Sequence, residues 1–275
     1  MHELALEQRR RLGVRAPWHV GDVTWGLRQY ERREDEWKIR IWKDGDQTVA
    51  WSWLKGDRGL LDFDVRRDRL DLLDEILADP EARTTVAFAD DEEMRTAVLR
   101  NGFSEDGEAE LTRQGPLLHF LARDLLEAPE PPELPEGFRY RTVEPDDLAE
   151  RVAVHREVWT PSRVTESSFA NVQASWPYRA SLDCVVEAPG GGFAAYCLLW
   201  PDDENGVGEL EPVGVRDEFR RRGLGAAVCT FALARLHEEG CREAIVYCVT
   251  EPACALYRSL GFRMHASLVE YARPR

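Results

Sequence analysis

One segment rich in glycine and arginine lies between a strand-like and a helix-like stretch, and its residue types suit the binding of phosphate groups. Glycine allows backbone conformations and close ligand approach that other residues forbid. Free amides at a helix start attract anions. The segment predicts a loop for a phosphate or pyrophosphate, with a solvated basic turn as the plainer alternative. It reads Val213-Gly214-Val215-Arg216-Asp217-Glu218-Phe219-Arg220-Arg221-Arg222-Gly223-Leu224-Gly225-Ala226-Ala227.

Two better-known phosphate loops do not fit this segment. The loop of nucleotide triphosphatases needs Gly-Lys followed by Ser or Thr, which the segment lacks. The dinucleotide loop needs the spacing G-x-G-x-x-G, but Gly225 is followed by Ala226, Ala227 and Val228. The two loops are therefore excluded.

Two motifs make residues 136–275 resemble the GNAT superfamily of acyltransferases. The acyl-CoA loop of that family, Arg/Gln-x-x-Gly-x-Gly/Ala, is matched by Arg220, Gly223 and Gly225. Its second motif, Ala-x-x-Leu-Tyr-x-x-x-Gly-Phe, is matched in the family's order by Ala253, Leu256, Tyr257, Gly261 and Phe262. The layout of the whole chain further resembles two-domain members such as mycothiol synthase-like proteins.

The resemblance implies acetyl-CoA as the acyl donor and assigns residues that contact it. Amides around Val213 and Val215 would pair with the pantetheine arm as an added strand does. Backbone N–H groups from Arg221 to Ala226 would surround the pyrophosphate. The implied contact residues are Val213, Gly214, Val215, Arg220, Arg221, Arg222, Gly223, Leu224, Gly225 and Ala226.

The resemblance also implies the residues that move protons. Tyr257 aligns with the tyrosine that protonates the departing thiolate, and its plainer interpretation is a half-buried aromatic anchor. Glu209 or Glu211 would take the proton of the amine, directly or through water. Glu211 is narrowly favoured, Pro212 predicts a bulge that re-aims one of the two, and a solvent-facing carboxylate is the alternative for either.

This sequence departs from the family at one position of the second motif. Thr250 occupies the place where the family usually has asparagine, which puts contacts to the cofactor arm there in doubt. Cys248 lies close to the expected thioester. A covalent relay through it is conceivable, but a buried packing residue is the favoured interpretation.

Proline and glutamate dominate residues 127–135, which predicts a linker between two domains. The expected division is a degenerate GNAT-like domain at 1–128, a linker at 129–135 and a catalytic GNAT domain at 136–275. Both domains should be α/β, each with a mixed, mostly antiparallel central sheet flanked by helices. The weaker repetition of this pattern in the first half favours an ancestral duplication.

The first half lacks the phosphate loop. The corresponding stretch contains no glycine, and its Asp68 would repel phosphate. We therefore predict that this half does not bind acyl-CoA, packs against the catalytic half and shapes one wall of the acceptor site. Its six tryptophans are interpreted as core and interface residues: Trp18, Trp25, Trp37, Trp42, Trp51 and Trp53.

Composition limits the partners. The 275 residues carry a net charge of −15, which argues against nucleic acid and anionic membrane surfaces. No apolar run approaches the ~20 residues of a membrane helix, and no secretory signal is visible. The cysteines have no C-x-x-C spacing, so we expect reduced thiols, no metal and a cytoplasmic protein.

The predicted function is an acetyl-CoA-dependent N-acetyltransferase that acts on a small-molecule amine by direct attack in a ternary complex. The expected partners are acetyl-CoA and that amine, with no nucleic acid or membrane, in a monomer or homodimer. A non-catalytic acyl-CoA-binding or sensing module is the main alternative. A protein or peptide amine as acceptor, transfer to oxygen and another acyl length also remain open.

Overall fold

A computed structural model describes residues 1–31, 36–56, 58–105 and 118–273. Within these ranges no helix has both the length and the apolar character needed to cross a bilayer. The α-helices are α1 (His2–Leu12), α2 (Val20–Arg28), α3 (Leu73–Leu77), α4 (Glu92–Arg100), α5 (Leu148–Val158), α6 (Glu166–Gln173), α7 (Leu224–Glu238) and α8 (Glu251–Ser259). The strands are β1 (Trp37–Asp44), β2 (Gln47–Lys55), β3 (Leu60–Val65), β4 (Thr84–Phe88), β5 (Leu118–Asp124), β6 (Arg139–Thr142), β7 (Asp183–Glu187), β8 (Phe193–Asp202), β9 (Val207–Val215), β10 (Glu243–Cys248) and β11 (Arg263–Ala272).

The described strands form one continuous sheet in the order β1-β2-β3-β4-β11-β5-β10-β9-β8-β7-β6. Only β3/β4 and β9/β10 are parallel pairs, and the other described neighbours are antiparallel. The prediction of a mixed, mostly antiparallel α/β fold is therefore confirmed.

The two halves exchange their last strands. β5 precedes the proline-rich segment yet pairs with β10, and β11 ends the described chain yet pairs with β4. On either side of the central strands β11 and β5, each half has first a parallel pair, β4 with β3 and β10 with β9, and then antiparallel strands. This shared order is what the predicted duplication requires. The domain boundaries at 128 and 136 remain a prediction.

Two helices at the start of the chain connect the halves, and the sequence reasoning did not predict them. α2 packs against β8, where Trp25 joins a buried cluster with Phe169 and Trp200 of the second half. Trp51 and Trp53 are fully buried within the first half. The interpretation of the tryptophans as core and interface residues is confirmed at these three positions.

The segment Arg69–Leu77, whose sequence favours a helix, is α-helical only in its second part. A 3-10 segment occupies Arg67–Leu72, Arg69 has a non-helical φ of −128°, and α3 covers only Leu73–Leu77. Arg66 and Asp68 form an ion pair of 2.6 Å at this point. In the first half, therefore, no long helix begins at the position that corresponds to the start of α7.

Candidate active site

β9 and β10 separate part of the way along their length and leave a gap between them. Their parallel pairing ends at Glu209 and Ile245. Just after the end of β9, the N–H of Arg216 donates a hydrogen bond to the carbonyl of Ala194 on β8. Successive N–H groups of a strand point to opposite sides. Those of Val213 and Val215 therefore point away from β8 and into the gap.

The loop between β9 and α7 presents free amides at its end. Arg221 and Gly223 have φ values of +63° and +79°, which lie in the left-handed region. Gly223 is the N-cap of α7 and provides no side-chain hydrogen bond, so the first-turn amides of Leu224, Gly225 and Ala226 lack a helical partner. Alternating backbone conformations before a helix start form a concave surface suited to anions.

Three consecutive arginines surround these amides, and all three are exposed. Arg220 forms a 2.9 Å ion pair with Asp217. The guanidinium of Arg222 lies 5.6 Å from the centre of the Phe219 ring. The loop therefore combines mobile positive charge with fixed backbone donors in a protein whose net charge is −15.

Gly214 has a role that the sequence reasoning did not consider. A Cβ atom at this position would lie 2.7 Å from side-chain atoms of both Tyr196 and Val158. Ordinary carbon contacts need more room, so packing beneath β9 requires glycine here. Packing therefore accounts for glycine at position 214, whether or not its backbone also contacts a ligand.

Tyr257 lies on α8 with only 6% of its surface exposed. Its ring packs edge-on against Phe262 with a centroid distance of 5.8 Å. Burial, followed by the neighbouring thiols of Cys229 and Cys197, raises the pKa of Tyr257 well above its ordinary value. The hydroxyl therefore keeps its proton at neutral pH and is available as a donor.

The start of α8 is fixed in two ways. Thr250 caps the helix by accepting a hydrogen bond from the N–H of Ala253 at 3.4 Å. Cys248 at the end of β10 forms a disulfide with Cys254 on α8, with their Cα atoms 5.5 Å apart. The expectation of fully reduced thiols is wrong for this pair, because the turn from β10 into α8 brings the two residues within bonding range.

Three carboxyl groups meet beside the gap. Asp22, Glu209 and Glu211 each place an oxygen within 4.8 Å of the others. A bulge shifts the register of β8 and β9 around Pro212, as the sequence predicted. Glu209 is fully buried, whereas Glu211 is half-buried and contributes to a cavity wall. The indole of Trp200 donates to the backbone carbonyl of Glu211 at 2.6 Å and fixes that point of the strand.

Burial makes these carboxyl groups weak acids. It raises the pKa of Glu211 to about 8, with the nearby Asp22 adding to the effect. Burial and the charge of Glu211 raise the pKa of Glu209 well above its ordinary range. Burial, followed by the charge of Glu209, likewise raises the pKa of Asp22 well above its ordinary value. A general base works best when its pKa lies near the working pH. Glu211 combines such a pKa with access to the cavity.

Asp22 reaches the cluster from the first half because of how α2 begins. Its Oδ2 accepts a 2.7 Å hydrogen bond from the backbone N–H of His19, which together with the His19 ring forms a capping box. A Cβ atom on Gly21 would lie 2.4 Å from Trp200, so only glycine lets α2 approach this closely. The His19-to-Asp22 spacing could have indicated a helix start, but not its contact with β9.

His19 lies beside Glu209 and supplies no positive charge to the cluster. Its Nδ1 accepts from the N–H of Gly21 at 3.1 Å and also lies 3.2 Å from Oε2 of Glu209. Burial lowers the pKa of His19 to about 3, so the ring is neutral. Neither carboxyl oxygen of Glu209 has a hydrogen-bond partner among the described residues, and burial without a partner raises its pKa and favours the protonated form. Glu209 is therefore a neutral acid that supports the cluster.

A cavity of about 270 Å³ opens beside Glu211, and most of its wall comes from the first half. Asp22 and Tyr247 line it together with Glu211, and the remaining wall is largely apolar but includes the acids Asp62, Asp64 and Asp91. The three clustered carboxyl groups are also near enough to hold a metal ion. The absence of a metal remains a prediction of the sequence.

The fold is that of proteins with two GNAT domains. A tandem GNAT protein from the clavulanic acid biosynthesis pathway superposes with a TM-score of 0.68 at 16% identity, over 98% of this chain and 91% of that one. A GCN5-related N-acetyltransferase from Sphaerobacter thermophilus gives 0.65 at 19% identity, over 99% and 92%. These likenesses establish the fold.

Within the second half of the chain, residues 149–262 match the family model described as "Acetyltransferase (GNAT) family". Curated relatives include the mycothiol acetyltransferases of Actinosynnema mirum, 29% identical over 56% of this chain and 54% of that protein, and Saccharomonospora viridis, 31% identical over 52% and 51%. The chain thus matches about half the length of these relatives.

Proposed function

We propose that this protein transfers an acetyl group from acetyl-CoA to the amine of a small molecule. The observation that carries the proposal is Glu211, a half-buried carboxyl group with a raised pKa at the junction of two spaces. On one side is the gap between β9 and β10, with free amides. On the other is the cavity between the halves. The name of the curated relatives, mycothiol acetyltransferase, favours a small molecule as the acceptor.

The gap suits the acyl donor. The N–H groups of Val213 and Val215 would pair with the amide groups of the pantetheine arm, as an added strand does. The first-turn amides of α7 and the arginines at 220–222 would hold the pyrophosphate. The charge of the loop opposes that of the pyrophosphate, while the acidic surroundings favour a cationic amine.

The nitrogen must lose two protons and the thiolate must gain one, and the site has a group that accepts protons and a group that donates one. Glu211 in its ionised form takes a proton from the ammonium group, so that the nitrogen lone pair can attack the acetyl carbonyl. A C–N bond forms and the C–S bond breaks. Tyr257 gives its hydroxyl proton to the departing thiolate, and the second proton that the nitrogen must lose to become an amide restores the tyrosine through solvent. Asp22 and Glu209 act as positioning residues, because their carboxyl groups lie within 4.8 Å of that of Glu211 and Asp22 adds to its raised pKa.

Binding and turnover should be measured separately. Acetyl-CoA should raise the melting temperature by a few degrees, as a ligand of the native state does. Release of free thiol should then appear only when a suitable amine is added. Binding without amine-dependent release for a broad amine panel would favour the non-catalytic sensing module. A lack of any shift at saturating acetyl-CoA would contradict the proposal.

A further inference from the structure

The first half has its own pair of separating parallel strands. β3 and β4 pair only at Leu60 with Thr84 and at Leu61 with Thr85. The remaining four residues of β3 have no partner on β4 among the described pairs. This arrangement matches β9 and β10, which also separate after a short parallel ladder. The first half therefore retains a gap, even though it lacks a phosphate loop.

The cavity beside Glu211 occupies this gap. Five consecutive residues, Leu61 to Val65, line it from β3, and Val86 to Phe88 line it from β4. Consecutive side chains of a strand face opposite sides of a sheet. A cavity that contacts all five must therefore lie along the edge of β3, where pairing with β4 has ended. It extends from this edge to Asp22 and Glu211 at the boundary with the second half.

Asp64 is an unusual member of the cavity wall. It is 2% exposed, and its Oδ1 accepts a 3.2 Å hydrogen bond from Gln8. Its Oδ2 is shielded from solvent and has no hydrogen-bond partner among the described residues. Two other acids of the wall already have cationic partners, since Asp62 pairs with Lys55 and Asp91 with Arg67.

A buried carboxyl oxygen without a partner is costly, and a ligand that supplies a donor removes that cost. Desolvation raises the pKa of Asp64 to about 7 against the opposing effects of the Gln8 and Val65 hydrogen bonds, Arg67 and the N-terminal ammonium of Met1, so a further cation at Oδ2 would ionise it. The same wall includes Phe63, Phe88 and Phe120, which suit an apolar spacer. The cavity thus combines the acidic groups of Asp64 and Glu211 with apolar surface.

We propose that the gap between β3 and β4 binds the far end of the acceptor, and that Asp64 holds a second ammonium group of that molecule. The substrate class is a diamine in which an apolar spacer separates two cationic nitrogens. This inference rests on the proposed function in one respect, namely that the nitrogen to be acetylated lies at Glu211. The gap between β3 and β4 corresponds to the gap between β9 and β10 that would hold the acyl donor, and in the first half it serves as the acceptor site.

Calorimetry with the full chain and no acyl donor tests this assignment. The probes are straight-chain α,ω-diamines of increasing length, each compared with the monoamine of the same length. At the best length, the diamine should bind at least ~10-fold more tightly than its monoamine, as a charged hydrogen bond predicts. Asp64→Asn should remove this difference and leave monoamine affinity unchanged.

Two controls make the experiment decisive. Asp68→Asn removes an acid that is exposed and outside the cavity wall, and it should preserve the preference for diamines. Asp64→Ser serves as a second variant if Asp64→Asn unfolds, as judged from its melting temperature. Diamine binding near neutral pH should also release protons in the wild type more than in either Asp64 variant, which two buffers of different ionisation enthalpy would detect.

The outcomes separate this inference from the proposed function. Equal affinity for diamines and monoamines at every length, or a diamine preference that survives in the Asp64 variants, would overturn the assignment of Asp64. Monoamine turnover could still support acetyl transfer in that case. Conversely, an Asp64-dependent diamine preference without any acyl transfer would support the second subsite and contradict the proposed reaction.

Discussion

The hydroxyl of Tyr247 donates a hydrogen bond to Oδ2 of Asp22 across 3.3 Å. The same hydroxyl lies 3.2 Å from the carbonyl of Pro17. Asp22 belongs to α2 of the first half and Tyr247 to β10 of the second, so this contact holds an early helix against the strand that borders the gap. It brings a third carboxyl group to Glu209 and Glu211 and so sets the acidity of the cluster.

Replacing Glu211 should affect the reaction more than replacing Glu209. Loss of a general base typically costs 10²- to 10⁴-fold in rate, so we expect Glu211→Gln to lower kcat by about 100-fold or more. Glu209→Gln is the matched control, because it keeps a neutral, hydrogen-bonding side chain where Glu209 is already protonated. Its effect should be less than about 10-fold on the same scale. Free-thiol release at saturating amine measures both.

The pH dependence of the reaction follows from the raised pKa of Glu211, which is about 8. Only the ionised carboxylate can accept a proton, so kcat/KM for the amine should rise with pH and level off above this value. The acidic limb should disappear in Glu211→Gln. A wild-type profile that is flat from pH 6 to pH 9, which spans about two units below that pKa and about one unit above it, would rule out Glu211 as the base.

The same pKa shift predicts how stability depends on pH. In the unfolded chain Glu211 ionises near 4.5, whereas in the folded protein it keeps its proton to about pH 8. Its contribution is fully present below pH 4.5 and is lost as pH rises toward 8, because only the unfolded state releases the proton. The melting temperature should therefore fall over this range. Glu211→Gln should flatten the fall, and Asp146→Asn at an exposed site should leave it unchanged.

Tyr257→Phe should slow the reaction without abolishing it. A thiolate leaving group with a pKa near 8–9 needs little assistance from an acid, so we expect a loss of roughly 10- to 100-fold in kcat. KM for acetyl-CoA should change little. An acetyl donor with a more acidic thiol should restore much of the lost rate, whereas a purely structural role for Tyr257 would lower the rate equally with both donors.

Gly223→Ala should weaken acetyl-CoA binding. Gly223 has a φ of +79°, where a side chain costs about 1–2 kcal/mol, and a change in its backbone would misalign the amides of α7. Gly102→Ala is a matched control, since Gly102 has a φ of +83° and nothing within 4 Å of its Cβ position. Both variants should lose similar melting temperature, but only Gly223→Ala should lose affinity for acetyl-CoA by calorimetry.

Thiol counting checks the disulfide. The bond between Cys248 and Cys254 leaves four free cysteines at positions 184, 197, 229 and 241. Denatured protein prepared without reductant should therefore react with four equivalents of a thiol reagent, and with six after reduction. Six reactive thiols in the unreduced sample would show that the pair is open in solution.

The local chemistry of the second half was predictable from the sequence because its signals are short-range. Gly223 marks a left-handed helix cap, Thr250 caps the next helix, and Pro212 coincides with a bulge. Each of these features depends on the conformation of a few adjacent residues. The order of strands and helices in the second half follows from similar local patterns.

Tertiary structure alone decided what surrounds those residues. Asp22 joins Glu211 only because α2 can approach β9 through Gly21. β5 and β11 exchange partners across the sheet, and Cys248 meets Cys254 only after β10 turns into α8. These contacts depend on which side chains are buried together, and burial is also what raises the pKa of Glu211. The sequence therefore determined which groups could react, and packing between the halves decided their acidity and their access to a ligand.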